Sequence, residues 1–221
     1  MKSMCLEEKD IINYISDILY TNKKAPEEVN RARYHHNTTY DNTPIVIQQG
    51  ILSTRERAKL ENRPLTDKEL SSYNDENYVN GLDNISLSVV GLNDLYSDEL
   101  EYDPFSPVKT DILITSDIRA GRCSQNYGNE FLAFDRIDNV NFRAIDIRLL
   151  QNLNNFNNGN YGYRTTRQQA LELMINNYNY LKQIAIAIIE QGLDIPLRDM
   201  SDQNVTLDID KMSKVPRLIL K

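Results

Sequence analysis

HHNTTYDNTPIVIQQGILS, residues 35 to 53, holds the turn on which the reading of this chain depends. The residues before and into it, ARYHHNT at 32 to 38, read as a short strand. Asp41 or Asn42 can cap a helix, Pro44 suits a first helical turn, and Gly50 suits the residue after the last one. Ile45, Ile47 and Ile51 supply apolar contacts. A strand, a tight turn and a short helix therefore follow one another. Side chains two apart on a strand share a face, so His36 and Thr38 can present an imidazole and a hydroxyl to one ligand. A partly exposed histidine at a strand edge explains the same residues without a ligand.

Working outward, residues 7 to 20 read as an amphipathic helix, with Ile11, Ile12, Ile15, Ile18 and Leu19 at helical spacing and acidic residues leading. TNKKAPEEVNRA is a polar connector or a short charged helix. Downstream, residues 54 to 78 are charged and hold a helix interrupted at Pro64. NISLSVV, residues 84 to 90, alternates Ile85, Leu87 and Val89 against Ser86 and Ser88, which predicts a strand with one polar face. Residues 93 to 110 read as an acidic surface loop, DILITS at 111 to 116 as a buried strand, and 119 to 129 as a loop. EFLAF at 130 to 134 and RAIDIRL at 143 to 149 read as two more strands. QNLNNFNNGNYGY is Asn-rich and reads as a loop. The longest helix runs over 166 to 191, where Ala170, Leu171, Met174, Tyr178, Leu181, Ile184, Ala185 and Ile188 keep helical spacing before Gly192. The tail holds strand-like VTLDI and RLILK. Separated strands with helices at both ends, and no regular βαβ alternation, predict an α+β fold. No internal repeat divides the 221 residues, so one domain is expected: an N-terminal helical segment (1–30), a core (32–150), and a loop, long helix and tail (151–221).

Composition narrows the function classes. Hydrophobic residues make up 40% and charged residues 26%, which suits a folded domain with a real core. The formal charge of −7 argues against a protein that coats a phosphate backbone, although a local basic cleft stays open. Two cysteines in dissimilar contexts, Cys5 and Cys123, make neither a disulfide framework nor a zinc site. The first residues lack a signal-peptide core, and no stretch nears the ~20 apolar residues of a membrane span. A cytoplasmic protein without a membrane partner is expected. Neither GxGxxG nor a P-loop is present, and the adjacent His35 and His36 would point to opposite faces of a strand, so no metal is expected.

Two further signals carry chemistry. Ser86 and Ser88 put two hydroxyls on one strand face, which suits either a polar ligand cleft or a solvated sheet face. In QNYGNEFLAF a turn with Tyr127 and Gly128 runs into a strand with Glu130 at its mouth. A carboxylate there can hold a ribose hydroxyl or stabilise positive charge developing on a sugar, and it can equally be a surface glutamate at a strand start.

The order of these features resembles the ADP-ribosyltransferase fold. HHNTTYDNTPIVIQQGILS is similar to the opening of the DNA-modifying ADP-ribosyltransferase toxins of bacterial toxin–antitoxin systems, with His36, Thr38, Asn42, Gly50, Leu52 and Ser53 falling on its pattern. His-x-Thr also resembles, more distantly, the His-Gly-Ser/Thr of poly(ADP-ribose) polymerases. NEFLAFDRIDNVNFRAIDI resembles the late strand that opens on the catalytic glutamate, and SLS stands where many relatives carry Ser-Thr-Ser. The resemblance covers roughly residues 32 to 150. It departs from the polymerase pattern in having no tyrosine at the middle strand. Arg55, Arg57 and Arg63 are open to the place of the toxins' catalytic arginine.

The resemblance implies a split β-sheet core flanked by the N-terminal helix and the long C-terminal helix. It implies an NAD-dependent transferase of the glycosyltransferase class, with NAD as co-substrate and a protein or nucleic acid as macromolecular acceptor. A toxin or phage-conflict effector would add an antitoxin or immunity partner. Glu130 and His36 would be catalytic, and His36, Asn37, Thr38, Asn42, Ser86, Ser88 and Tyr127 would bind NAD. A non-catalytic nucleotide- or protein-binding module on the same fold is the alternative.

Overall fold

The computed structural model describes residues 7–21, 26–70, 82–90, 109–122, 130–147, 156, 158–161 and 165–199. The chain opens with α1 (Glu8–Ile18), β1 (Leu19–Thr21) and α2 (Glu27–Asn30). Then come β2 (Ala32–Thr39), α3 (Thr43–Gln49), β3 (Ile51–Leu52), α4 (Thr54–Leu60) and α5 (Asp67–Leu70). The middle of the chain supplies β4 (Asn84–Val89), β5 (Lys109–Thr115), β6 (Ala120–Arg122), β7 (Glu130–Phe134) and β8 (Arg136–Ile137). A 3-10 turn (Asn139–Asn141), β9 (Phe142–Ile147), α6 (Arg167–Gln191) and β10 (Leu197–Asp199) complete it.

Eight of these strands form one sheet in the order β1-β10-β9-β5-β2-β4-β7-β6, and β3 pairs with β8 in a second, two-stranded sheet. The pairs from β9 through to β6 are antiparallel, whereas β1, β10 and β9 run parallel. The α+β architecture with an N-terminal helix and a long C-terminal helix is thus the one the pattern predicts. No helix among the described residues is long and apolar enough to cross a membrane.

Helix α6 is built as its spacing demands. Thr166 and Gln169 close a reciprocal capping box at its start, and Gly192, left-handed at φ 62°, ends it. Its inner face buries Leu181, Ile184, Ala185 and Ile188 completely, each large aliphatic chain contributing roughly 1.5–3 kcal/mol. These residues join Tyr34, Ile112, Ile114, Ile85, Leu87 and Ile145 from one face of the sheet, with Val46 and Ile47 from α3 and Ile11 and Ile15 from α1. The other face carries a much smaller cluster of Val29, Leu113 and Ala144.

Several boundaries differ from the sequence reading. Helix α1 stops at Ile18, and Leu19–Thr21 instead pairs with Leu197–Asp199, a parallel contact that no local pattern encodes. Ala120–Arg122, expected in a loop, is a strand because β7 offers it a ladder partner. Lys109 and Thr110, also read as loop, begin β5 opposite Thr39 and Thr38. Asn42 occupies the N-cap position of α3 without capping it; its amide donates to Thr38 Oγ1 at 3.0 Å. Pro64 does separate two helices, α4 and α5. Tyr127, most of the Asn-rich loop, VTLDI and RLILK lie outside the described residues.

Candidate active site

Strand β4 is the hinge of the site. Its ladder to β7 runs along the whole strand, from Asn84↔Phe134 to Ser88↔Glu130. Its ladder to β2 stops after Tyr34↔Val89 and His35↔Ser88. From His36 onward β2 remains paired with β5 while losing β4, so the sheet parts there.

Ser86 spans this parting. Its hydroxyl donates to Glu130 Oε1, and its backbone oxygen lies 3.0 Å from His36 Nδ1. A carbonyl oxygen only accepts, so Nδ1 carries the hydrogen. Burial pushes the His36 imidazole below its ordinary value; the hydrogen bond to Ser86 and the Asp111 carboxylate oppose that shift, and the Arg57 guanidinium adds to it. The ring is therefore neutral at neutral pH, and Nε2 presents a lone pair. Strands β2 and β7 thus bring an imidazole and a carboxylate to Ser86 of β4, which adds its own hydroxyl.

Alternation along the strands adds a correction. His35 stands opposite Ser88, and Ser88 stands opposite Glu130, so these three share one sheet face with Ser86. His36 and Thr38 alternate to the face of Tyr34. His36 reaches the site only because the strands separate and its ring turns to the Ser86 carbonyl. The His-x-Thr pair and the glutamate row therefore approach the parting from opposite sides.

The other expected residues divide by what they touch. Thr38 is buried, and its hydroxyl accepts from Asn42, which locks the turn from β2 into α3. Neighbouring Thr43 bonds the Thr39 carbonyl and Thr110, tightening the same turn. Asn37 is exposed and stands opposite Asp111 on β5. Of the three arginines, Arg55 is held by Asp83 at 2.6 Å, and Arg63 by Glu61 and by both carboxylate oxygens of Glu69. Arg57, half-buried on α4, is the one whose charge reaches His36. Ser53 accepts from the backbone of Glu56 and so starts that helix; Ser53-x-x-Glu56 is a capping signature legible in sequence.

Two polar links on the glutamate face escaped the sequence reading. His35 Nδ1 lies 3.1 Å from Asp111 Oδ1. Beyond it, Asp146 stands directly opposite Asp111, and Arg198 from β10 grips Asp146 with two bonds of 2.8 and 2.6 Å. Burial raises the Asp146 carboxyl, while Arg198 opposes that rise. These partners are far apart in sequence, so only the sheet order brings them into line.

Two of the open clefts among the described residues lie elsewhere. One, of about 530 Å³, is lined by Glu28, Arg31, Asp117, Arg143 and Asp194 among others. The second, of about 410 Å³, is lined by Arg119, Phe134 and Arg136 beside the far end of β7. Neither is lined by His36, Ser86 or Glu130.

Comparison with protein-family models, with curated proteins and with solved structures gives no match to this chain.

Proposed function

We propose that the chain is an NAD-dependent ADP-ribosyltransferase that moves ADP-ribose from NAD to a macromolecular acceptor. The observation that carries this reading is the double use of Ser86, whose hydroxyl aims Glu130 while its carbonyl fixes the tautomer of His36. NAD fits the donor set: a carboxylate and an imidazole lone pair each accept from a ribose hydroxyl, and the Arg57 guanidinium suits a pyrophosphate. When bound, NAD supplies a glycosidic bond with a neutral leaving base. Glu130 holds a ribose hydroxyl and stabilises the positive charge that develops on the adjoining sugar carbon. Electrostatic stabilisation of this kind usually contributes more to catalysis than any other single effect. His36 orients the second sugar contact, and Ser86 prevents Glu130 from rotating away.

Incubation with NAD and measurement of nicotinamide release test the reading. The native protein turns over; Glu130→Gln is slower by about 10²–10³-fold, the scale of losing one preorganised charge-stabilising group. Absence of native turnover, or equal turnover by Glu130→Gln, refutes it. A nucleotide-binding module without turnover is favoured by one observation, that Thr38 and Asn42 are engaged with each other. An NAD-induced rise in thermal stability without nicotinamide release would select that reading.

A further inference from the structure

The cleft of about 410 Å³ beside the far end of β7 falls in the size range of pockets that hold small molecules. Arg119 and Arg136 line it together with one carboxylate, Asp138, so it is locally cationic on a chain whose formal charge is −7. Ile118, Ala133 and Ile137 give it an apolar lining. Phe134 lines it too, and that side chain is 66% exposed. Strands β6 and β7 pair through Ala120↔Ala133, and one residue further along that register Arg119 comes level with Phe134. Arg119 is exposed and makes no ion pair or hydrogen bond with the described residues.

The walls of the cleft are held in place. The turn from β7 to β8 is one residue, Asp135, at φ 56°. Its N–H donates to the Asp83 carbonyl at 3.1 Å, and its own carbonyl accepts from the Ser53 amide at 2.7 Å. Arg136 is fixed through Nη2, which donates to the Gln49 carbonyl at 3.2 Å and lies 2.7 Å from Asp138 Oδ1. A guanidinium has five N–H donors, so Arg136 keeps others to offer.

We propose that this cleft is a second ligand site, one that takes a nucleoside monophosphate. The base stacks on the Phe134 ring, a contact open to any base because every base has a π-face. The phosphate bridges Arg119 and the remaining donors of Arg136, a match of planar forks to phosphate oxygens. Asp138 and Asn141 meet the sugar hydroxyls. Nothing is cleaved or transferred there; the site binds. Strand β7 rises ~3.3 Å per residue, so Phe134 stands about 13 Å along the strand from Glu130. The two sites share no residue, and this proposal stands without the transferase reading.

Isothermal titration of the full chain with adenosine monophosphate tests it, at about 0.15 M salt so that distant charges are screened. The native protein binds one equivalent. Arg119→Ala weakens binding by about 10–100-fold, the scale of losing hydrogen bonds to a charged group. Phe134→Ala weakens it by about 5–100-fold, the scale of losing one stacking platform. Adenosine binds more weakly than its monophosphate and is indifferent to Arg119→Ala. Glu130→Gln binds the monophosphate as the native protein does. Both replaced side chains are exposed, so the two variants keep the native melting temperature. Absence of binding, or native affinity in both Arg119→Ala and Phe134→Ala, overturns the proposal. Inorganic phosphate binding as tightly as the nucleotide also overturns it, because the ring then plays no part. Loss of binding in Glu130→Gln places the nucleotide in the other site and refutes a second one. A single-stranded oligonucleotide that binds 100-fold more tightly than the monophosphate, at the same two residues, replaces the mononucleotide with a nucleic-acid strand as the occupant.

Discussion

Gly50 offers the sharpest test of why one glycine stands in the opening segment. Its backbone sits at φ 82° and ψ 177°, a region that essentially only glycine adopts. A Cβ built there would lie 2.5 Å from the Ile137 carbonyl oxygen, a backbone atom that cannot swing away. That carbonyl belongs to the β3–β8 pair, where Ile51 faces Ile137. The end of α3 depends on the same neighbours, since Asn139 donates to the Ile47 carbonyl and Arg136 to the Gln49 carbonyl. Gly50→Ala therefore incurs about 1–3 kcal/mol of backbone strain and about 1 kcal/mol for a disturbed β3–β8 bond. For a chain of this size, a loss of about 2–4 kcal/mol lowers the melting temperature by roughly 4–16 °C. Gly192→Ala is the control: its φ is also positive, at 62°, but a Cβ there meets nothing within 4 Å. Thermal unfolding of both variants by circular dichroism separates conformational strain from the clash. A Gly50→Ala protein that melts no lower than Gly192→Ala would refute the argument from close approach.

Other consequences follow from the polar groups. Ser86→Ala removes the hydroxyl that aims Glu130 and keeps the carbonyl that holds His36, so kcat for nicotinamide release should fall about 5–30-fold with KM little changed; Ser86→Thr, which keeps the hydroxyl, should retain most activity. His36 is held below its unfolded value of ~6.5, so its contribution to stability is complete above that value and is lost as pH falls toward the folded one. Urea midpoints should decline with acidification across that window in the native protein and less steeply in His36→Gln. Arg198→Met leaves the Asp146 carboxylate buried without its cation and should cost about 3–5 kcal/mol in urea unfolding at neutral pH. Because burial raises Asp146, its folded state favours the proton, so this loss should shrink as pH falls; an equal loss at all pH would contradict the ion pair as its cause.

Much of the fold is legible locally. The Thr166 cap, the spacing from Ala170 to Ile188 and Gly192 specify α6, because each signal acts within a turn or two of helix. Alternation of Ile85 and Leu87 with Ser86 and Ser88 specifies β4 and its two faces. Pro44 at the start of α3 and Gly50 at its end are likewise short-range chemistry. The short parallel edge is a different case. Leu19–Thr21 and Leu197–Asp199 are three residues each, too short for periodicity, and they become strands because each completes the other's hydrogen bonds.

The site divides along the same line. Residue types and strand alternation by themselves determined that His36 and Thr38 share a face, that Ser86 and Ser88 share a face, and that Glu130 opens an apolar strand. Tertiary structure alone decided which of those faces meet. The β2–β4 ladder ends after His35, and that ending brings the His36 ring to the Ser86 carbonyl across a parting in the sheet. Register alone aligned His35, Ser88 and Glu130, and set Asp111 beside His35 and Asp146 beside Asp111. The physical reason is range. Alternation and capping are fixed by neighbouring backbone atoms, whereas strand order and register are set by the burial of Ile112, Ile114, Leu87 and Ile145 beneath α6, a sum over residues distant in the chain.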